Sequence, residues 1–407
     1  MRAKKTALWA LMTSVGISAF SQAIAGASYP NLFTLLLGKS EDEVRAKVDS
    51  AWQQLFYGDD ATERVYYPVG EDMAYVLDVG NNDVRTEGMS YAMMIAVQLD
   101  KKPEFDRIWK WVKTYMYQRT GSYQGYFAWH CTKEGRKLNG NPASDGEEWF
   151  ATSLFFASAR WGEGEGIFAY RQEAQAILDT MLHTSDRGPS LVATNMFDAQ
   201  AKEVVFVPAK NNGDAITDPS YHLPHFYELW ALWADKDQAF WKEAAAASRA
   251  FWQKAANTST GLMPDYAEFD GSPTDMGNGG HRDFLYDAWR CGMNLAVDYD
   301  WFAADPWQVG QADRLLRFFL GQGPRYGDRY RISGERIGDD HSLGLVAMNA
   351  AACLAADIPE RKAYVEELWD SSLDKGQWRY YNDMLYVLAF LDLSGNFKAY
   401  LPKQGAD

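Results

Sequence analysis

Twelve segments with the residue spacing of α-helices follow one another along the chain, and their character alternates. Segments such as 41–57 and 359–371 are amphipathic and charged, whereas segments such as 86–100 and 342–356 carry almost no charge. A helix that is apolar all round is buried, and an amphipathic helix is half exposed. Six buried helices that alternate with six covering helices predict an all-α fold, an (α/α)6 barrel, with an irregular helical array as the alternative. The twelve segments are 41–57, 86–100, 103–118, 147–161, 168–184, 222–235, 237–255, 283–302, 306–322, 342–356, 359–371 and 380–393.

The N-terminal segment has the pattern of an export signal. A basic start (Arg2, Lys4 and Lys5) precedes an uncharged apolar stretch, Ala7–Phe20, and a small-residue tail that ends in Ala-Ile-Ala at Ala25. The apolar stretch has roughly 14 residues, fewer than the ~18 of a spanning helix. We therefore expect cleavage after Ala25 and release to the periplasm or the medium; a retained membrane anchor is the alternative.

Composition narrows the choice of ligand. The chain has 55 acidic and 40 basic residues, a formal net charge of -15, which is the wrong sign for a nucleic-acid partner. Its 15% of aromatic residues, with 16 Trp, favours flat ligands, of which sugars are one class. No linker rich in Gly, Ser or Pro divides the remainder, so residues 26–407 are predicted to form one domain. We expect a monomer that has no contact with a membrane once the signal is removed.

Polar residues gather where the buried helices begin. Because consecutive helices run antiparallel, all six inner helices should start at the same end of the barrel, where their loops and N-termini meet. Helix capping explains many acids in such positions, and we favour it for Asp283 and Asp339. Glu87 and Asp287 differ, since each is flanked by aromatic residues and precedes a buried stretch. A carboxyl group in a dry pocket has a raised pKa and can donate a proton. The six start segments are 83–88, 144–149, 218–221, 283–290, 339–342 and 379–383.

Two long connections, 121–146 and 258–282, are rich in glycine and aromatic residues. Their rings, including that of Trp129, could stack on sugars, with packing over the barrel rim as the alternative. The histidines provide no metal signature, because His222 and His225 lie three residues apart without a third ligand nearby. We expect neither a metal nor another cofactor.

Four motifs resemble those of glycoside hydrolase family 8, and they occur in the order of that family. The stretch Asp83–Tyr91 is similar to its general-acid motif, and Ala143–Ala151 is similar to the start of its signature. Asp218–Tyr221 and Tyr286–Arg290 match two further motifs. One position departs from the family, where Glu147 replaces the usual residue two places after the signature Asp. The likeness extends over residues 29–402.

The resemblance implies an (α/α)6 barrel and a reaction that inverts the configuration at the anomeric carbon. Carried over by position, Glu87 is the proton donor and Asp287 the base. Asp145 would bind and help distort the sugar, and Tyr221 would hold the attacking water with Asp287. Arg290 would orient the substrate or Asp287. Inversion predicts carboxyl groups roughly 6.5–9.5 Å apart, which leaves room for a water.

Within the family, segments 82–91, 218–229 and 393–397 look most like the xylan-active branch, and most like the exo-oligoxylanases that release xylose from the reducing end. The exo action of that subgroup is attributed to a Leu-His-Pro kink, and the matching residues here are Asp340-His341-Ser342. His341 is therefore expected to bind substrate, as is Tyr381 at the start of the last inner helix. The missing Leu and Pro keep an endo-xylanase as an alternative.

The predicted partner is thus a xylo-oligosaccharide or xylan. Two other functions remain possible on the same barrel. A polysaccharide lyase would need cations beside a uronate carboxylate, which an acidic chain supplies poorly. A sugar-binding protein without catalysis would use the aromatic groove alone.

Overall fold

The computed structural model describes residues 29–188, 192–210, 213–277 and 279–402. The predicted signal peptide, residues 1–25, lies outside them. None of the described helices is long and apolar enough to span a membrane. The described α-helices are α1 (Leu32–Leu37), α2 (Glu41–Tyr57), α3 (Thr86–Gln98), α4 (Lys102–Trp111), α5 (Ser144–Trp161), α6 (Tyr170–His183), α7 (Pro224–Trp233), α8 (Gln238–Ala255), α9 (Arg290–Phe302), α10 (Trp307–Gly321), α11 (Leu343–Ala352), α12 (Arg361–Asp370) and α13 (Arg379–Leu393).

The odd-numbered helices from α3 to α13 form a closed inner ring. Each packs against the next in chain order, and α13 returns to pack against α3. The even-numbered helices cover this ring, each beside an inner neighbour, as α4 covers α3 and α8 covers α7. The fold is therefore an (α/α)6 barrel, as predicted. Because the inner helices run parallel to one another, their N-termini meet at one end.

Burial follows the predicted alternation of the two helix types. All ten residues of α11 are buried, whereas six of the seventeen residues of α2 are buried. The capping residue Ser40 accepts a hydrogen bond from the backbone of Glu43, whose side chain in turn accepts one from the backbone of Ser40. This capping box fixes the start of an outer helix without help from the core.

Short antiparallel strands occupy the connections, and the sequence analysis did not anticipate them. β1 (Tyr66–Val69) pairs with β2 (Met73–Val76) in a hairpin. A second sheet of three strands consists of β3 (Val84–Arg85), β4 (His130–Cys131) and β5 (Lys137–Asn139). Strand β3 leads directly into α3, so the sheet anchors the start of that inner helix.

One inner helix begins later than the sequence predicted. The segment expected from residue 283 becomes α-helical only at Arg290. The cause is tertiary, because Phe284 and Tyr330 exchange two backbone hydrogen bonds of 2.8 and 3.0 Å that hold the chain extended. The predicted capping role of Asp283 is therefore wrong. That of Asp339 is wrong too, since Ser342 occupies the N-cap position of α11.

A buried ion pair joins neighbouring helices of the barrel. The guanidinium of Arg249 in α8 donates two hydrogen bonds of 2.7 Å to Asp298 in α9, whose side chain is fully buried. Glu228 in α7 and Gln308 in α10 bond to the same pair at 2.7 and 2.6 Å. Four consecutive helices thus share one polar network.

We expect Arg249→Met to lower the free energy of unfolding by about 3–5 kcal/mol, because it leaves the buried carboxylate of Asp298 without its cation. Urea denaturation measures this change. The control is Arg45→Met, which breaks an exposed pair with Asp42 and should change stability by less than about 1 kcal/mol. Equal effects of the two substitutions would contradict the structural role of the buried pair.

Candidate active site

One arginine lies at the centre of the polar cluster where the inner helices begin. The Nη1 atom of Arg290 donates to Glu87 Oε2 and to Asp145 Oδ2, both at 3.1 Å. Its Nη2 atom donates to Asp287 Oδ1 at 2.9 Å. The arginine side chain is only 3% exposed. Three carboxyl groups from separate parts of the chain are therefore held together by one buried cation.

Two neutral side chains also accept hydrogen bonds from the guanidinium. Tyr91 Oη accepts a hydrogen bond of 2.7 Å from Nη1 of Arg290, and Ser220 Oγ accepts one of 2.9 Å from Nη2. Asn294, one turn further along α9, donates to the backbone oxygen of Ser220 at 2.7 Å. The planar donor fork is thus fixed from several sides, which a flexible ammonium could not achieve.

Glu87 lies in the first turn of α3, directly after the anchored strand β3. The backbone amide of Thr86 donates to Trp129 O at 2.9 Å, and Arg85 bonds to Asp83 at 2.9 Å. Tyr380 donates from its hydroxyl to Glu87 Oε1 at 3.3 Å. Burial raises the pKa of Glu87 to about 7, although Arg290 opposes the rise. Glu87 can therefore hold a proton near neutral pH.

Two glycines let the neighbouring groups approach this carboxyl. A Cβ atom at Gly88 would overlap the ring of Tyr380. A Cβ atom at Gly146 would come 2.5 Å from Thr86, which precedes Glu87. Side chains at either position would push apart the helix starts that carry the cluster.

Asp287 occupies the turn that precedes α9, and its side chain is 30% exposed. Asp145 lies in the first turn of α5, is buried, and accepts a hydrogen bond of 2.9 Å from the amide of Gly146. Burial raises the pKa of Asp145, and the charge of Arg290 lowers it. Asp287 is thus the more accessible of the two aspartates.

An open cavity of about 450 Å³ exposes both Glu87 and Asp287. Trp378 and Tyr286 offer large exposed ring surfaces on its wall, with 61% and 47% of each residue accessible. Rings of this kind can stack on the faces of sugars. The remaining lining residues are Asp78, Asn81, Arg85, Trp289, Asp328, Asp340, Ser342, Gln377, Tyr380, Tyr381 and Asn382.

Two other predicted residues lie near this cluster. Tyr221 is buried, with its ring 5.6 Å from the guanidinium of Arg290, and both Asp145 and Asp287 raise its pKa above the level set by burial. Tyr381 lines the cavity and donates to the backbone oxygen of Tyr286 at 2.8 Å.

Trp129 stands at the edge of the site rather than on the cavity wall. Its ring stacks on His130 with centroids 3.7 Å apart, and the guanidinium of Arg85 lies 5.6 Å from it. Since Arg85 itself lines the cavity, the ring of Trp129 flanks the cluster beyond that arginine.

His341, which is predicted to bind substrate, is held by two contacts within the protein. Its Nδ1 lies 3.0 Å from Tyr326 O, and its Nε2 lies 2.8 Å from Glu367 Oε1. Both ring nitrogens are therefore engaged by the protein. The neighbours Asp340 and Ser342 line the cavity in its place.

Sequence reasoning missed two residues of the site. Trp378 directly precedes the start segment 379–383. An aromatic residue beside the start of an inner helix could therefore have been recognised as a candidate sugar-binding residue. Asp265 lies within a long connection that has no motif. Its Oδ1 accepts a hydrogen bond of 3.1 Å from the amide of Ala288, next to Asp287. Only the folded chain brings this aspartate to the site.

The described residues contain no group of three or more His, Cys, Asp or Glu side chains placed to hold a metal ion. The glutamate at position 147, where the family motif differs, is buried and accepts a hydrogen bond of 3.0 Å from the amide of Phe127. This hydrogen bond joins Glu147 to the connection that carries Trp129.

Comparison with known proteins identifies the family. Residues 72–394 match the model of the family described as glycosyl hydrolases family 8. The chain belongs to this family. The hydrolase is 47% identical to the reducing-end xylose-releasing exo-oligoxylanase Rex8A of Paenibacillus barcinonensis over 377 residues, which cover 92% of this chain and 97% of that protein. It is 45% identical to the reducing-end xylose-releasing exo-oligoxylanase of Halalkalibacterium halodurans over 380 residues, with coverage of 92% and 95%.

A solved structure also matches the hydrolase over most of its length. The crystal structure of a family 8 xylobiose complex from Teredinibacter turnerae aligns with a TM-score of 0.90 at 46% identity. The alignment covers 93% of this chain and all of that chain. The fold and the family are therefore established together.

We expect Arg290→Lys to lower kcat/KM by about 10²-fold, because an ammonium cannot bond to three separated carboxyl groups and small displacements of reacting groups are costly. Steady-state kinetics on a xylo-oligosaccharide measures the loss. Arg45→Lys serves as the control, since the side chain of Arg45 is 66% exposed and pairs with Asp42 on the outer helix α2. Near-normal activity of Arg290→Lys would show that the guanidinium fork is dispensable.

Proposed function

We propose that this chain is an inverting hydrolase that releases xylose from the reducing end of β-1,4-xylo-oligosaccharides. The observation that carries the proposal is identity of 45–47%, over nearly the whole chain, to enzymes named for that activity. The geometry of the cluster supports it, since a proton donor and a second carboxyl group face one open cavity. A cavity of this volume suits a short oligosaccharide.

Glu87 is proposed to protonate the glycosidic oxygen that leaves. A general acid works best when its pKa is close to the operating pH, and burial raises the pKa of Glu87 to about 7. Tyr380 donates to the carboxyl group on one side and Arg290 on the other, so that its orientation is set before substrate binds. Proton transfer then needs little rearrangement.

Asp287 is proposed to remove a proton from the attacking water. Arg290 bonds to Glu87 and Asp287 through its two terminal nitrogens, so the bonded oxygens lie at most about 8 Å apart. Inverting enzymes hold the two carboxyl groups roughly 6.5–9.5 Å apart and retaining enzymes roughly 5–5.5 Å apart. The bound is compatible with both, so the proposal of inversion rests on the likeness to the family motifs. Burial raises the pKa of Tyr221 and keeps its phenol group protonated, and this group would hold the attacking water. Asp145 would bind the sugar at the cleavage point.

An endo-xylanase is the second candidate, and one observation favours it. Asp340 and Ser342 line the cavity where the exo-acting subgroup has the Leu and Pro of its kink. Small or polar side chains at these two positions would obstruct the part of the cavity that holds the leaving sugars less than Leu and Pro do. The named relatives nevertheless favour exo action, and the products decide between the two.

The decisive measurement is product analysis on xylotetraose labelled at its reducing end and on polymeric xylan. We expect labelled xylose as the first labelled product and slow release from the polymer. A mixture of labelled xylobiose and larger fragments would support endo action instead. Tight binding without cleavage would leave only a sugar-binding role, and unsaturated products would indicate a lyase.

We expect Glu87→Gln and Asp287→Asn each to lower kcat by at least about 10²-fold, because each removes one acid–base group. Glu335→Gln, at an exposed position, is the matched control. An NMR time course on a β-linked substrate should show the α-anomer first. Activity close to normal in Glu87→Gln or Asp287→Asn would contradict the catalytic role proposed for that residue.

We further propose that the protein is exported after cleavage behind Ala25 and acts as a monomer. The basic start, the short apolar stretch and the small-residue tail support export and cleavage. N-terminal sequencing of the protein recovered from the medium or the periplasm, with its mass in solution, tests it.

A further inference from the structure

A buried aspartate outside the family motifs contacts the segment that carries the proposed base. Asp265 Oδ1 accepts a hydrogen bond of 3.1 Å from the backbone amide of Ala288. The other oxygen, Oδ2, lies 3.1 Å from Nδ1 of His281. The aspartate side chain is 2% exposed and that of His281 is 28% exposed. Both oxygens of Asp265 therefore have a partner, and its orientation is fixed.

The surrounding contacts hold this pair rigidly against the site. The ring of His281 stacks on Tyr266 with centroids 4.1 Å apart and planes at 10°. Phe206 contacts Tyr266 at 4.3 Å on one side and Tyr221 at 5.6 Å on the other. A row of rings thus connects His281 to Tyr221, whose ring lies 5.6 Å from the guanidinium of Arg290.

The charged groups around the pair belong to three parts of the chain. Asp287, in the turn before α9, acts on both members of the pair, and Asp218, before α7, acts on Asp265. Asp275, in the same connection as the pair, faces His281 and is bonded to Arg282 at 3.0 Å. His281 is the titratable group that touches Asp265 directly.

We propose that Asp265 and His281 are positioning residues for the base: Asp265 fixes the turn at Asp287 through the amide of Ala288, and His281 balances the charge of Asp265. This inference rests on the proposed function, because it takes Asp287 as the base. It extends that function to two residues whose side chains do not line the cavity.

The charges of the pair set the direction of the expected pH effects. The hydrogen bond to Asp265 raises the pKa of His281 above 6.5, and burial raises the pKa of Asp265 to about 6. Near pH 6, where Asp265 is about half ionised, His281 is therefore positive. Removing the negative partner leaves this cation near Asp287 and favours the ionised base. Removing the histidine has the opposite effect, because the charge of Asp265 is no longer balanced.

The first test compares two substitutions of the aspartate. Asp265→Asn keeps an oxygen for the amide of Ala288, so kcat at the optimum should stay within about threefold of normal. The midpoint of the acid limb of kcat/KM should move down by about 0.5 pH unit. Asp265→Ala loses the oxygen, and kcat should fall by about 10²-fold with little change in KM. Rescue of activity by Asn over Ala separates positioning from a merely structural role.

The second test uses the more exposed member of the pair. His281→Gln should move the midpoint of the acid limb to higher pH. The shift should be smaller than that of Asp265→Asn, because Asp265 takes up a proton more readily once the histidine is gone. The matched control is His183→Gln, since His183 also bonds to two aspartates, Asp186 and Asp237, but lies on α6 at the outer surface. Its profile should equal the normal one.

The alkaline limb provides an internal reference. Activity should be lost as pH rises through the pKa of Glu87, which is about 7. The midpoint of this alkaline limb should be the same in Asp265→Asn, His281→Gln and His183→Gln as in the unmodified enzyme. An unchanged acid limb in both Asp265→Asn and His281→Gln, or normal kcat in Asp265→Ala, would overturn the inference. Normal activity of Asp287→Asn would instead overturn the proposed base, whatever the Asp265 variants show.

Discussion

The organisation of the site depends on the guanidinium of Arg290. Carboxyl groups crowded into a partly dry site repel one another, and they can be held together only if a cation or a proton offsets their charge. Arg290 supplies that cation to Glu87, Asp145 and Asp287 at distances of 2.9–3.1 Å. Because its fork is planar and buried, it also fixes the directions in which the three groups point.

The same cluster separates the properties of the two proposed catalytic carboxyl groups. Glu87 lies in the first turn of a buried helix, and burial outweighs the cation, so its pKa rises to about 7. Asp287 lies in a turn before its helix and is more exposed. This difference in environment, rather than in residue type, is the basis for the proposed division into a proton donor and a proton acceptor.

The aromatic residues divide into two populations with different physical roles. Many are fully buried and fill the space between helices, among them Trp230, Trp241 and Trp252. Others, such as Trp378 and Tyr286, leave large ring surfaces exposed along the cavity. The excess of aromatic residues in the composition therefore reflects both a wide helical core and a surface suited to sugars.

The sequence by itself determined the alternation of helices, the barrel that follows from it, and the identity of the motif residues Glu87, Asp145, Tyr221, Asp287 and Arg290, whose catalytic roles stay predictions. Helical spacing and motifs are local properties, so they can be read without the fold. Only the tertiary structure decided that α9 begins at Arg290, that His341 bonds to Tyr326 and Glu367, and that Asp265 reaches the turn at Asp287. Those outcomes depend on hydrogen bonds between residues distant in the chain, which no local pattern records.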